Sequence, residues 1–294
     1  MSAPARLPSW LTKPLSDPEK VRPVRETLAR HRLTTVCDEA RCPNRVDCFT
    51  RGTTTFMVLG DHCTRSCRFC AVGHDAPRPI ENDEPVRVAR AAAALGLKFI
   101  VLTSVTRDDL PDGGAAHFAA TVRAVRSELP ESGIEVLVPD FLGNEGSLRT
   151  VLESGPEVFG HNIETVERLY ETARPGADYR RSLEVLSRAA RAGESVVKSA
   201  MMLGLGETPD EVARTLRDLR EAGAEIVCLG QYLCPSSEHL PVERFVPPEE
   251  FDELRSLALS MGFSAVASGP FVRSSYLAEQ SAARALEARR APAA

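Results

Sequence analysis

No run of apolar residues in this 294-residue sequence is long enough to span a membrane. The N-terminus, with Pro4, Arg6 and Pro8, lacks the apolar core of a signal peptide, so the expected compartment is the cytoplasm. An excess of basic charge is missing as well. The formal net charge of −5 argues against general nucleic-acid binding and leaves room only for a local basic patch. Hydrophobic residues at 43% and charged ones at 26% describe an ordinary globular protein, long enough for one large α/β domain with an extension or for two small domains.

What is missing around the cysteines is more telling. Eight cysteines in a cytosolic chain are poor candidates for structural disulfides, and six of them fall in two tight triplets. One triplet is Cys63, Cys67 and Cys70, which follows an apolar, β-prone stretch; the other is Cys37, Cys42 and Cys48, in a polar segment whose spacing suits a loop wrapped around a cluster. Neither has a fourth cysteine beside it. A cubane iron–sulfur cluster takes four ligands, usually cysteine, so three leave one iron open to bind a small molecule. Zinc completed by His62 or His74 is the competing reading.

The first fifty or so residues read as an arm or lid with one helical candidate, Asp17 to His31. From Thr53 the chain alternates strand and helix candidates. The strands are Thr54–Leu59, Lys98–Thr103, Glu135–Val138, Val158–Ile163, Val196–Met202 and Glu225–Leu229. Helices between them end near Gly96, Gly133, Gly155, Gly193 and Gly223 as C-terminal stops. Six successive βα units imply parallel strands with right-handed crossovers, in an open doubly wound sheet or a barrel. After Pro247 and Pro248, a helix, a short strand candidate at Phe263–Ala267 and a final Ala/Glu/Arg helix follow.

Parallel α/β folds put their chemistry at the carboxyl ends of the strands. There lie the cysteine motif, Thr103 to Asp109, Pro139-Asp140, His161 to Thr165, Gly204-Leu205-Gly206-Glu207 and Gly230-Gln231-Tyr232-Leu233. Lys198, inside an apolar strand, must reach the barrel mouth or an anionic partner, because burying it unpaired is costly. Arg174 to Ala177 reads equally well as a surface turn, Cys228 as core, and Arg273-Ser274-Ser275-Tyr276 as a helix cap.

Taken together, these residues resemble a known family. Cys63, Cys67 and Cys70 with Phe69 before the last cysteine look like the signature of the radical S-adenosylmethionine (SAM) enzymes. Adding Cys37, Cys42 and Cys48 and the terminal Arg273-Ser274-Ser275-Tyr276-x-Ala278, the chain resembles the lipoyl synthases from roughly Trp10 to Ala278. The resemblance implies a partial (β/α)6 TIM-type barrel over residues 53–240, an arm over 1–52 carrying the auxiliary cysteines, and an extension over 241–294, arm and extension covering the mouth.

It also implies two [4Fe–4S] clusters. One, on Cys63, Cys67 and Cys70, binds SAM and cleaves it to a 5′-deoxyadenosyl radical. The other, on Cys37, Cys42, Cys48 and either Ser274 or Ser275, supplies sulfur for insertion at C6 and C8 of a protein-bound octanoyl-lysine. Phe69, Thr103, Asn162, Glu164, Lys198 and Gln231 are then expected around SAM. The implied partners are octanoylated lipoyl-carrier domains, such as a 2-oxoacid dehydrogenase E2 or a glycine cleavage H protein, and an electron donor such as flavodoxin or ferredoxin. Neither nucleic acid nor membrane is among them. Three rivals stand beside this reading: another sulfur-inserting or methylthiolating radical enzyme, a structural zinc protein, and a two-cluster electron carrier.

Overall fold

The computed structural model describes residues 7–13, 18–51 and 53–290. Short β-branched and aromatic runs form eight strands: β1 Thr34–Thr35, β2 Thr55–Val58, β3 Phe99–Ser104, β4 Gly133–Leu137, β5 Val158–Gly160, β6 Val196–Leu203, β7 Ile226–Gln231 and β8 Ala265–Gly269. β2 and β7 are buried at every position, as strands covered on both faces must be. The helices are α1 Pro18–Arg30, α2 Val36–Glu39, α3 Arg45–Thr50, α4 Glu84–Ala94, α5 Ala115–Glu128, α6 Glu145–Leu152, α7 Tyr170–Ala173, α8 Tyr179–Ala192, α9 Pro209–Glu221, α10 Pro248–Ser260 and α11 Ala278–Arg290. Among the described residues, no helix is long and apolar enough to cross a membrane.

Local chemistry sets the helix ends. Asn144, Asp178 and Thr208 accept hydrogen bonds from the first-turn N–H groups of α6, α8 and α9, and Thr208 closes a reciprocal box with Glu211. Gly193 ends α8 in the left-handed region at φ 76°, as its position implies. Gly133 behaves differently from the expected helix stop. It opens β4, where a Cβ would lie 2.6 Å from the Phe99 ring.

The strands lie side by side in chain order, β2 to β8 all parallel and β1 antiparallel to β2. Sequential order without a reversal is barrel winding, which decides between the two architectures that periodicity leaves open. The two edges, β1 and β8, do not pair, so the barrel is partial. Seven parallel strands replace the expected six because Ala265–Gly269 pairs with β7. Outside the sheet, one continuous core joins it to α1, α4, α5, α8, α9 and α10.

Inside, a second core joins Val158, Val196, Ala200, Ile226, Cys228 and Ala265 to Ala282 and Ala285 of α11. The small side chains of α11 let the helix approach the lumen closely. Near its end Arg289 binds Ser195 O and Glu225, residues that precede β6 and β7. Thus the last helix closes the end of the barrel where strands begin.

The arm is packed rather than a free lid. Val21, Val24 and Leu28 of α1 are buried in the outer core, each contributing roughly 1.5–3 kcal/mol. Asp17, the first residue of the expected helix, lies outside the described residues. Two of the three cysteines expected in a loop occupy short helices, Cys37 in α2 and Cys48 in α3, because Thr35 caps the first of these through Asp38 N.

Candidate active site

The loop from Cys63 to Cys70 follows β2 and is tied to the ends of four other strands or their connections. Thr64 N and Oγ1 both donate to Thr106 O at 3.0 Å, and Arg68 N donates to Ala173 O at 2.9 Å. Leu240 N donates to Arg68 O, and His239 Nε2 lies 3.0 Å from Cys70 O. Arg65 supplies the deepest anchor. Its guanidinium holds Asp108 through two bonds of 2.7 and 2.9 Å and Asp140 through one of 2.6 Å, while Arg181 takes the other oxygen of Asp140 at 2.8 Å. Burial acts to raise the Asp140 carboxyl, but the bonds and charge of Arg65 outweigh it and hold that group below the usual carboxylate range.

Within each triplet the charge of one thiolate reaches the others. Burial pushes the Cys70 thiol up to about 12, Cys37 to about 12 and Cys48 to about 11, so metal binding at these positions must displace protons. Cys63 Sγ already accepts two backbone N–H groups, Arg65 N at 3.4 Å and Thr106 N at 3.3 Å. No three His, Cys, Asp or Glu side chains among the described residues converge as ligands of a single ion would. A cubane holds its ligand sulfurs on separate irons, so its three cysteines need not converge on one point. His62, a zinc candidate, is engaged with Asp61 at 2.7 Å, and His74 is exposed.

Cys37, Cys42 and Cys48 line a cavity of about 310 Å³ together with Arg51, Arg273 and Ser275. The neighbouring serine faces elsewhere: Ser274 Oγ donates to Asn162 Oδ1 at 3.0 Å. The arm and the extension are joined here by Tyr276, whose hydroxyl donates to Asp47 Oδ2 at 3.0 Å, and by Asn44 Nδ2, which donates to Phe271 O. Lys13 completes the strap over the Phe271 ring at 4.5 Å.

Asn162 also donates to Glu164 Oε1 at 3.0 Å. Glu164 holds a left-handed φ of 64°, unusual for a residue with a side chain, while its backbone pairs with Ala200 O and Met202 N. Its carboxyl is raised by burial against the opposing charge of Arg174. Arg174 is not a surface turn. Its Nη1 reaches Asn162 O at 3.1 Å and Tyr170 Oη at 2.9 Å, its Nε is buried without a hydrogen-bond partner, and its charge reaches Cys67. Among the described residues the Phe69 backbone has no hydrogen-bond partner, so its peptide stays open beside the cysteine loop.

Three of the residues expected around SAM are occupied elsewhere. Lys198 Nζ binds both oxygens of Glu135 at 2.8 Å, both side chains being 1% exposed, so the anionic partner is the answer to its burial. Gln231 donates to Leu203 O, Tyr232 O and Arg244 O and accepts from Val246 N. Thr103 Oγ1 donates to Leu137 O at 3.0 Å. These groups hold strand and loop ends together. The glycine-rich turn is closed as well, since Glu207 accepts from Gly204 N and Leu205 N.

His161 is structural too. Nδ1 lies 2.8 Å from Val138 O and Nε2 3.1 Å from Ser182 Oγ, and burial lowers its pKa to about 4. Arg65 and Arg174 were the positions that sequence reading missed. An arginine between two clustered cysteines, and one after a short helix, give no local sign of which carboxylates or carbonyls they will meet.

Comparison with known proteins places this geometry. The profile of the Radical SAM superfamily matches residues 57–219. A lipoyl synthase of Desulfotalea psychrophila is 54% identical over 274 residues, covering 93% of this chain and 92% of that protein. One of Methylococcus capsulatus is 54% identical over 283 residues, covering 96% and 88%. Among solved structures, Streptococcus suis SuiB bound to its precursor peptide SuiA superposes with a TM-score of 0.58 at 10% identity, over 90% of this chain and 57% of that one. The [FeFe]-hydrogenase maturase HydG gives 0.54 at 14% identity, over 85% and 71%. At such identities the two structures share the fold.

Proposed function

The chain belongs to the lipoyl synthase family of the radical SAM superfamily, and from that premise we propose a division of labour between its two cysteine triplets. It is an enzyme that inserts sulfur by radical SAM chemistry, with SAM and a [4Fe–4S] cluster as cofactors and lipoyl-carrier proteins as substrates. Cys63, Cys67 and Cys70 hold the cluster that binds SAM, and Cys37, Cys42, Cys48 and Ser275 hold a second, auxiliary one. When bound, the first supplies the electron that cleaves SAM to methionine and a 5′-deoxyadenosyl radical, and the second supplies the sulfur.

The residues of the chain position these groups. Arg65 fixes the first loop against Asp108 and Asp140. The open peptide of Phe69 meets the adenine, and Asn162 with Glu164 orients the rest of SAM. Thr103, Lys198 and Gln231 act behind that surface, by holding strands and loops. Ser274 ties the cofactor side to the auxiliary side through Asn162.

The substrate is an octanoyl chain on a lysine of a carrier domain, sulfur entering at C6 and then C8, with a 2-oxoacid dehydrogenase E2 or glycine cleavage H protein as the carrier. A flavodoxin or ferredoxin delivers the electrons. The arm precedes residue 53, the barrel runs from there to its last strand, β8, and the extension follows Gly269.

The observation that carries this reading is the single cavity shared by three cysteines of the arm and Ser275 of the extension. Iron and sulfide analysis tests it. Reconstituted protein should hold two clusters' worth of each, and replacement of Cys37, Cys42 and Cys48 by alanine should leave one. An unchanged content in that variant would remove the auxiliary site.

A further inference from the structure

Two arginines line the auxiliary cavity, and they are held in different ways. Arg51 forms an ion pair with Asp47 and donates to Tyr276 Oη at 3.2 Å. Arg273 has no carboxylate within ion-pair distance among the described residues, and the one hydrogen bond of its guanidinium runs from Nη1 to Val272 O at 2.6 Å. It lines the same cavity as Cys42, and the charges of Cys42 and Glu164 both act on it. The close approach depends on Gly230. A Cβ at that position would lie 2.0 Å from Val272 O and 3.2 Å from Arg273 Nη1, so no other residue lets this segment sit against β7.

A guanidinium that faces a cavity with no carboxylate partner is completed by a negative group bound there. We propose that Arg273 is the residue that raises the reduction potential of the auxiliary site, its charge being completed by the cluster bound there. The inference rests on the reading that Cys37, Cys42 and Cys48 hold a cluster. When a carbon radical forms a bond to sulfide, the radical brings one electron and a sulfide lone pair two; the bond takes two and the third reduces iron. The radical is neutral, so the net charge of the site is unchanged: the sulfide gives up one negative charge as iron takes the electron. A fixed cation lining the cavity stabilises the electron held on iron.

The test uses the full chain with Cys63, Cys67 and Cys70 replaced by alanine, so that only the auxiliary site is loaded, and an anaerobic redox titration followed by electron paramagnetic resonance. Arg273→Gln should lower the equilibrium constant for one-electron reduction at least tenfold, about 59 mV, while Arg273→Lys retains most of the parent value. Iron and sulfide contents should match among the three proteins. An unmoved potential in the glutamine variant, or equal shifts in both variants, would overturn the proposal. An unmoved potential with weakened SAM binding in the otherwise intact protein would also overturn it and reassign Arg273 to a SAM carboxylate. No cluster at all in the parent variant would overturn instead the auxiliary-site reading beneath it.

Discussion

Ser274 Oγ donates to Asn162 Oδ1 at 3.0 Å, while Ser275, the next residue, lines the cavity of Cys37, Cys42 and Cys48. Adjacent serines thus serve different sites. Replacing Ser275 by alanine should leave the auxiliary site short of its fourth ligand and change its iron content or paramagnetic spectrum. Replacing Ser274 should leave both unchanged and weaken SAM binding by up to about tenfold, the worth of one net hydrogen bond. Iron analysis and SAM titration of the two variants check the assignment.

Arg65 joins Asp108 and Asp140 beneath the first cysteine loop. Arg65→Met should cost about 3 kcal/mol in urea unfolding, because Asp140 stays buried with Arg181 as its one remaining ion pair. Arg65→Lys should recover less than half of that, since an ammonium cannot span two carboxylates as a guanidinium fork does.

The fold was legible because burial on both faces gave the inner strands continuous apolar runs, and because glycines such as Gly193 closed the helices between them. The six clustered cysteines were legible from spacing alone. Contacts were not. Lys198, Gln231 and Thr103 have polar atoms suited to a ligand, yet each is taken by a partner far away in sequence, Glu135 being 63 residues from Lys198. Nor does spacing show that α11 would enter the lumen, since its alanines Ala282 and Ala285 look the same on an exposed helix.

Lys198 and Glu135 provide a direct check on whether that ion pair serves the fold or the cofactor. Burial alone would strip Lys198 of its proton, but the charge and hydrogen bonds of Glu135 raise its pKa and keep it charged. Lys198→Met should destabilise the protein by about 3–5 kcal/mol, and the double change with Glu135→Leu should recover most of it. SAM affinity in the folded double variant should equal that of the parent, as measured by calorimetry.

His161 predicts a pH dependence. Burial and the nearby Arg174 charge lower its pKa from 6.5 to about 4, so the unfolded chain binds the proton more tightly between those values. Stability is therefore complete above pH 6.5 and falls by on the order of 3 kcal/mol as the pH drops to about 4. Asp140 adds a further loss only below its ordinary value of 3.8, outside this window. Denaturant unfolding of protein lacking the six cluster cysteines should show the slope, and His161→Gln should flatten it.

The central claim, that the cluster on one triplet generates the radical and the cluster on the other gives up its sulfide, is tested most directly by anaerobic single turnover. Reconstituted protein, SAM, dithionite and an octanoyl-lysyl peptide are combined, and the peptide is weighed by mass spectrometry. The account predicts a gain of two sulfurs, lost when Cys37, Cys42 and Cys48 become alanine while SAM cleavage persists. Sulfur insertion that survives in that variant, or SAM cleavage that leaves the peptide unmodified in protein holding both clusters, would contradict it.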